Sequence, residues 1–429
     1  MPEPDSDVVS DAANSTRGLL SHAPVRRLLA STICMTSGVM LQATALGKQV
    51  FDITDRELDI GLLGLAEFLP AALLVLFTGA VADRFNRKTV GALAISGEFA
   101  CSIALALYAM SSPTAVWPLF VIAVCFGGAR AFAAPSIRSI PPMVAPDGAL
   151  PRVIALYSAT WTAATIVGPA VGGLLYSVDP SLAYWVSAGL ILNGAIQLTR
   201  VTFLRQPEPP APDSRVTLHS ALEGLRFIRR TPILLAAIAL DLFAVLFGGA
   251  VALLPAIAED RLGVGDIAYG WLRAAPGIGA ALVALFLASR PVTRRVGPTL
   301  LAVVALFGVA TIMLGVTTSY VVAFASLVVL AGADMISVFI RSTLVPLVTP
   351  DDKRGRVMAV ENVFIGASNE LGAFESGVAA QAFGTQAAVI GGGVATIGIV
   401  GLFAVAFPAL RRVNRFDDLV TSEGRPVNS

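Results

Sequence analysis

Apolar residues run along this chain in long stretches, separated by short polar joints that collect arginine, aspartate, glycine and proline. A helix crosses the ~30 Å hydrocarbon layer of a bilayer with about 20 such residues. The pattern predicts spans near 28–50, 60–82, 89–111, 115–137, 152–177, 181–204, 232–257, 268–289, 297–317, 320–344, 356–382 and 386–408. These are twelve transmembrane helices, six on each side of the joint at 205–216, which holds Pro207, Pro209, Pro210 and Pro212. The fold class is therefore all-α integral membrane, and the even number of spans puts both termini on one face. Five regions follow: a polar N-terminal tail over 1–24, an N-terminal six-helix bundle over 25–204, a linker over 205–231, a C-terminal six-helix bundle over 232–410 and a second tail over 411–429. Residues 1–24 lack the basic start, apolar run and cleavage site of a signal peptide. In the linker, Leu218, Leu222, Leu225 and Ile228 fall at helical spacing with Arg226, Arg229 and Arg230 beside them. That segment reads either as an amphipathic helix on the membrane surface or as an ordinary linker helix.

The two halves repeat at an offset of 204 residues. Pro142-Met143-Val144-Ala145-Pro146-Asp147, followed by Arg152-Val153-Ile154-Ala155, returns as Pro346-Leu347-Val348-Thr349-Pro350-Asp351, followed by Arg356-Val357-Met358-Ala359. In the same register Gly128-Ala129-Arg130 matches Gly332-Ala333-Asp334, and Gly168 and Gly173 match Gly372 and Gly377. A duplicated apolar chain is the plan of a secondary transporter.

Composition narrows the classes. With 55% hydrophobic residues, 14% charged and a mean hydropathy of +0.77, a water-soluble surface is out of reach. The net charge of +1 conceals a polarised molecule. If the N-terminus is cytoplasmic, the inward joints hold Arg84, Arg87, Lys88, Arg138, the cations from Arg205 to Arg230, Arg290, Arg294, Arg295, Arg341, Lys353, Arg354 and Arg356. The outward joints hold only Arg56 and Arg261. This asymmetry orients both termini to the cytoplasm, and nothing in the balance favours a nucleic-acid partner. Cys34, Cys101 and Cys125 lie inside spans as small packing residues, and His22 and His219 lie in polar segments, so no metal site is expected. A phosphate-binding glycine loop and a nucleophile–base constellation are also missing from the sequence, which argues against ATP hydrolysis and against an enzyme, and no cofactor is expected. The energy source is an ion gradient or the substrate's own gradient.

The joint between spans two and three reads Gly79-Ala80-Val81-Ala82-Asp83-Arg84-Phe85-Asn86-Arg87-Lys88. Gly79 permits close helix approach, and Asp83 with Arg84, Arg87 and Lys88 makes a charged conformational latch at a helix end. Here the chain resembles the major facilitator superfamily, whose signature in this loop is G-x-x-x-D-R-x-G-R-[RK]. Asn86 stands in place of the signature glycine and tolerates the same left-handed backbone. The matching loop of the second half, Ser289 to Gly297, keeps Arg290, Arg294 and Arg295 without the aspartate. Three further words, Arg130-Ala131-Phe132 leading to Pro135, Gly168-Pro169-Ala170-Val171-Gly172-Gly173, and Phe364 to Gly377, resemble the branch of transmembrane secretion effectors that includes the enterobactin exporter.

The resemblance implies two pseudo-symmetric bundles that rock about a central cavity in the bacterial inner membrane. It also implies export of a small amphipathic molecule, siderophore or drug-like, by a monomer with protons as the coupling ion in antiport. The alternative on the same scaffold is an importer or flippase of a lipid-like solute. The glycine word of span five, with Gly168, Pro169, Gly172 and Gly173, is similar to the antiporter motif of drug exporters, and with Gly372 and Gly377 it marks helix packing. A non-transporting sensor would show a degenerate latch and few cavity charges.

Charges inside spans cost about 2.5–3.5 kcal/mol each at the helix centre and persist where they are paired, hydrated or useful. The candidates are Glu67, Glu98, Arg130, Asp241, Arg273, Asp334, Glu361, Glu370 and Glu375, with Lys48 at the far end of span one. In the facilitator architecture spans 1, 4, 7 and 10 line the path, so the resemblance assigns Arg130, Asp241 and Asp334 to it. Glu98, Glu67, Gln42 and Trp161 are further substrate or proton pathway candidates. Arg130 and Asp334 are repeat-equivalent and opposite in sign; either they face one another near the cavity axis, or each is neutralised inside its own bundle, Arg130 by Glu98. In span eleven Asn369, Glu370 and Glu375 are expected to serve packing at the bundle interface.

Overall fold

A computed structural model describes the backbone of residues 16–84, 87–138, 140–204 and 218–419, and the side chains of these except 16, 17, 75–84, 87, 88, 134–136, 138 and 218–221. The described residues form helices and no strand. In chain order the long helices are α1 (Ala23–Thr54), α2 (Glu57–Arg84), α3 (Arg87–Met110), α4 (Trp117–Arg138), α5 (Leu150–Val178) and α6 (Pro180–Thr199). After the linker helix Leu218–Arg230 come α7 (Pro232–Phe247), α8 (Asp266–Ser289), α9 (Val296–Val316), α10 (Tyr320–Val348), α11 (Asp351–Phe383) and α12 (Thr385–Ala406).

Every predicted span thus has a helix, but not every helix meets a strict apolar criterion. Among the described residues, nine helical stretches are long and apolar enough to cross a membrane, the seventh running over Pro232–Arg261 through the turns that follow α7, and Trp117–Ala133 of α4 is a shorter apolar helix. The two others are α2 and α11. Side chains of α2 are described only as far as residue 74, and α11 carries Glu361, Glu370 and Glu375 along its length besides the charges of its first turns.

Two compact units result, one of residues 1–46 with 69–215, the other of residues 47–68 with 216–429. The division near 215 falls in the proline-rich linker, while the adjoining ends of α1 and α2 pack with the second unit. In the first unit α3 packs on α4 and α6, and α5 on α6; in the second, α9 packs on α10 and α12, and α11 on α12. The duplicated words therefore fold into duplicated neighbourhoods. The core of the first unit is built from Leu28, Ile95, Val153 and Ile191, and that of the second from Leu234, Leu240, Ile340 and Leu344, all fully or almost fully buried.

The glycine words fix how closely helices approach. A methyl on Gly168 would lie 2.6 Å from Met40 Cβ and 2.9 Å from the Ser37 carbonyl, so α5 meets α1 backbone to backbone. At the equivalent place a methyl on Gly372 would lie 2.7 Å from the Val245 carbonyl, which puts α11 against α7 in the same way. Gly172 repeats the contact on Leu41 and Thr44, and Gly377 brings α11 within reach of Gly61 in α2. Pro169 and Gly173 are buried beside them in α5.

Two expectations change. The seventh span is not one helix: α7 stops at Phe247, and a 3-10 turn (Gly249–Val251), a short helix (Leu254–Ala256) and a wide π-type turn (Ile257–Arg261) follow. Gly248 and Gly249 disfavour continued helix and Pro255 removes a donor, which accounts for the break. The stretch expected as a tail from 411 is packed as far as 419, with Val413 and Leu419 buried. The Val413 carbonyl accepts from the Gly297 amide at 3.0 Å, and the Asn414 side chain accepts from the Arg295 amide at 3.2 Å, so this segment satisfies the free donors at the start of α9. Between α5 and α6, Asp179 caps α6 by accepting from the Ser181 hydroxyl and amide, and these bonds hold its carboxyl below the usual range.

Candidate functional site

Each unit encloses a buried polar cluster, and the two lie at positions the repeat does not relate. In the second unit the centre is Arg341 on α10, 3% exposed. Its guanidinium donates to Asp241 of α7 at 2.8 Å and lies 3.6 Å from Glu361 of α11. Asp334 precedes Arg341 by seven residues on α10, two helical turns, and so shares its face. Asp334 and Asp241 line one small cleft with Ser337, Phe307, Val303 and Val304. Arg341 is the opposite charge that acts on Asp334. The Arg341 Nε and the Ser337 hydroxyl are buried without a hydrogen-bond partner among the described residues. The cleft has room for about one water molecule.

One guanidinium thus ties three helices, and the carboxyls around it outnumber it three to one. Charges buried this deeply are kept by pairing or by function. Subtracting the repeat offset from Asp241, Asp334, Arg341 and Glu361 gives Ser37, Arg130, Ile137 and Tyr157. These equivalent positions of the first half do not make such a set of charges.

Its own cluster lies elsewhere. Gln42 of α1 accepts from the Ser102 hydroxyl at 2.5 Å and from the Ser187 hydroxyl at 3.4 Å, and Ser187 also donates to the Gly38 carbonyl at 2.9 Å. Glu98, one turn before Ser102 on α3, is 2% exposed, and its Oε2 has no hydrogen-bond partner among the described residues. Arg130 is exposed and is the cation acting on Glu98.

A third cluster sits where α1 ends and α8 begins. Lys48, with a side chain 8% exposed, pairs with Asp52, bonds Glu259 at 2.7 Å and lies 3.6 Å from Asp266. Nearby, the Thr385 hydroxyl at the start of α12 donates to Glu57 of α2 at 2.7 Å.

Several sequence-predicted residues come together and others do not. Asp241, Asp334 and Glu361 share one site, and Gln42 shares another with the α3 turn of Glu98. Trp161 is half exposed, Arg130 and Asn369 are exposed, and Glu67, Glu370 and Glu375 are half-buried outside both clusters. The Glu370 carboxyl approaches Gly64 of α2, where a methyl would lie 3.0 Å from it. The latch residues Gly79, Asp83, Arg84, Arg87 and Lys88 lie outside the described side chains. Sequence reasoning misplaced Arg341, which is a buried hub and not a loop cation. The signal was its position between Asp334 and Pro346 inside an otherwise apolar stretch. It also left Asp52, Glu259 and Asp266 unremarked, because polar residues at span ends read as loop.

Comparison with known proteins agrees with this architecture. The family model of the Major Facilitator Superfamily matches residues 28–340. The chain is 26% identical over 423 residues to the multidrug efflux pump Tap of Mycolicibacterium fortuitum, covering 94% of this chain and 98% of that one. It is also 26% identical over 358 residues to the enterobactin exporter EntS of Escherichia coli O6:K15:H31, covering 81% and 82%. Among solved structures, a bacterial homologue of the human lysosomal transporter Spinster, inward-facing and unoccupied, superposes with a TM-score of 0.66 at 18% identity over 91% of this chain and 97% of that one, a likeness of fold. With its duplicated helices, its glycine-packed pairs and a family match over most of its length, the chain belongs to the Major Facilitator Superfamily and is a multi-pass membrane transporter.

Proposed function

We propose that this transporter exports a small amphipathic molecule, siderophore or drug-like, from the cytoplasm across the bacterial inner membrane, with both termini cytoplasmic and protons as the counter-transported ion. The observation that carries the reading is the Arg341 hub. Asp241 and Glu361 share one guanidinium while Asp334 opens onto the same cleft as Asp241. A set of three carboxyls and one cation in low dielectric has an uncompensated site that a proton neutralises, and any shift of α7, α10 or α11 alters which carboxyl that is. Asp334 is assigned as the proton carrier and Arg341 as its positioning residue. Glu98 is assigned as a second protonatable group, in the first unit. Relatives named as efflux pump and exporter support the outward direction.

The test is untargeted mass spectrometry of spent medium from cells making the wild-type chain or Asp334→Asn at equal membrane abundance. A discrete compound enriched outside only with the wild type, and lost on adding an uncoupler, is the expected result. Enrichment that survives the uncoupler removes proton antiport. A solute accumulating inside, or no change outside, replaces export with the importer or flippase reading.

A further inference from the structure

The linker helix Leu218–Arg230 has two distinct faces, and one of them is packed against the protein. Ile228 is 1% exposed, and Gly224 is packed so tightly that a methyl on it would lie 2.8 Å from the Arg356 carbonyl at the base of α11. Glu223 accepts from Arg356 at 2.6 Å, and Lys353 stands 5.1 Å above the Phe227 ring. The apolar side that could have lain in a membrane is therefore spent on α11. The helix does not bind a bilayer as a simple amphipathic segment would.

The opposite side is different. At about 100° per residue, Leu222, Arg226, Arg229 and Arg230 fall within about 100° of one another, and Gly224 and Ile228 lie across the helix from them. Leu222 is 53% exposed and the three arginines are exposed, without an ion pair among the described residues. Thr231 and Pro232 follow at once, and Pro232 opens α7, so the guanidiniums stand where the chain enters the membrane. The one acidic residue of the described helix, Glu223, is already neutralised by Arg356. Three cations around an exposed leucine at a membrane boundary complement a phosphate headgroup with its acyl chain beneath.

We infer that this face binds anionic phospholipid headgroups of the adjoining leaflet, with Arg226, Arg229 and Arg230 as the phosphate contacts. The lipid is then linked by one helix thickness to α11, the helix that carries Glu361. Each arginine near an anionic surface favours binding by about fivefold, so the three together favour it by roughly a hundredfold. The inference is independent of substrate and direction of transport.

Native mass spectrometry of the purified full chain, equilibrated with equimolar phosphatidylglycerol and phosphatidylcholine, tests it. The wild type is expected to retain phosphatidylglycerol selectively. The triple variant Arg226→Gln, Arg229→Gln, Arg230→Gln should lose that selectivity by tenfold or more, and the triple lysine variant should keep most of it. Unchanged selectivity in the glutamine triple overturns the inference and leaves a solvated basic face. If that triple does not fold, Arg226→Gln alone should lower selectivity by several-fold, and no decrease there overturns the inference equally.

Discussion

Arg341 shows how one residue can change the meaning of its neighbours. Asp241, Asp334 and Glu361 stand out in the sequence because charges inside apolar stretches are expensive, yet their grouping depends on a cation that sits beside the end of its helix and looks like a membrane-boundary charge. Removing that cation leaves buried carboxyls uncompensated, which typically costs 3–5 kcal/mol, whereas replacing both partners by apolar residues is often neutral. Arg341→Leu is therefore expected to lower stability by about 3–5 kcal/mol, and adding Asp241→Leu should recover only part of it, because Glu361 and Asp334 still lack their cation. Thermal unfolding of the purified variants in detergent checks the pair; a double variant as unstable as the single would place the cost elsewhere. Glu98 offers the converse case. Its burial is foreseeable from a glutamate inside a span, but that its Oε2 has no hydrogen bond among the described residues, while Gln42 bonds Ser102, is a three-dimensional fact.

Among elements, the helices themselves were legible from hydrophobic length, and their pairing was foreshadowed by the repeat. Gly168 and Gly372 sit 204 residues apart and perform one task, holding the fifth helix of each half against the first. A methyl on Gly168 needs α1 or α5 to move, while Gly189 has nothing within 4 Å of the same atom. Gly168→Ala is expected to cost about 1–3 kcal/mol through overpacking, and Gly189→Ala to be neutral or slightly stabilising. Melting temperatures of the two variants, measured by size-exclusion after heating, decide this; equal values would show that the α1–α5 contact yields freely. The break after Phe247 was harder to see, because Gly248, Gly249 and Pro255 lie in a run apolar enough to read as one span. Hydropathy counts greasy residues and is blind to whether their backbone continues as a helix.

For the whole molecule, the proposed export by alternating access would require some contacts to form and others to part in every cycle. The Lys48 cluster is suited to parting. Its cation is buried, its carboxyls come from α1, the turn after α7 and the start of α8, and Thr385 leans on Glu57 nearby. Lys48→Gln should open this end. In a background with Cys34, Cys101 and Cys125 replaced, Thr385→Cys, at a position only 8% exposed in the parent chain, is expected to react several-fold faster with a membrane-impermeant thiol reagent when Lys48→Gln is present. An unchanged rate would reduce the cluster to local packing. None of this was legible beforehand, since Asp52, Glu259 and Asp266 are scattered over more than 200 residues and each alone is an ordinary boundary charge.

The pairing of Arg295 with Asn414 spans 119 residues. In chain order the start of α9 precedes by 119 residues the segment that completes its amide donors. The third helix of the second half is thus completed by residues that lie beyond the last span, and a chain lacking Val413 and Asn414 would leave these amides without their acceptors.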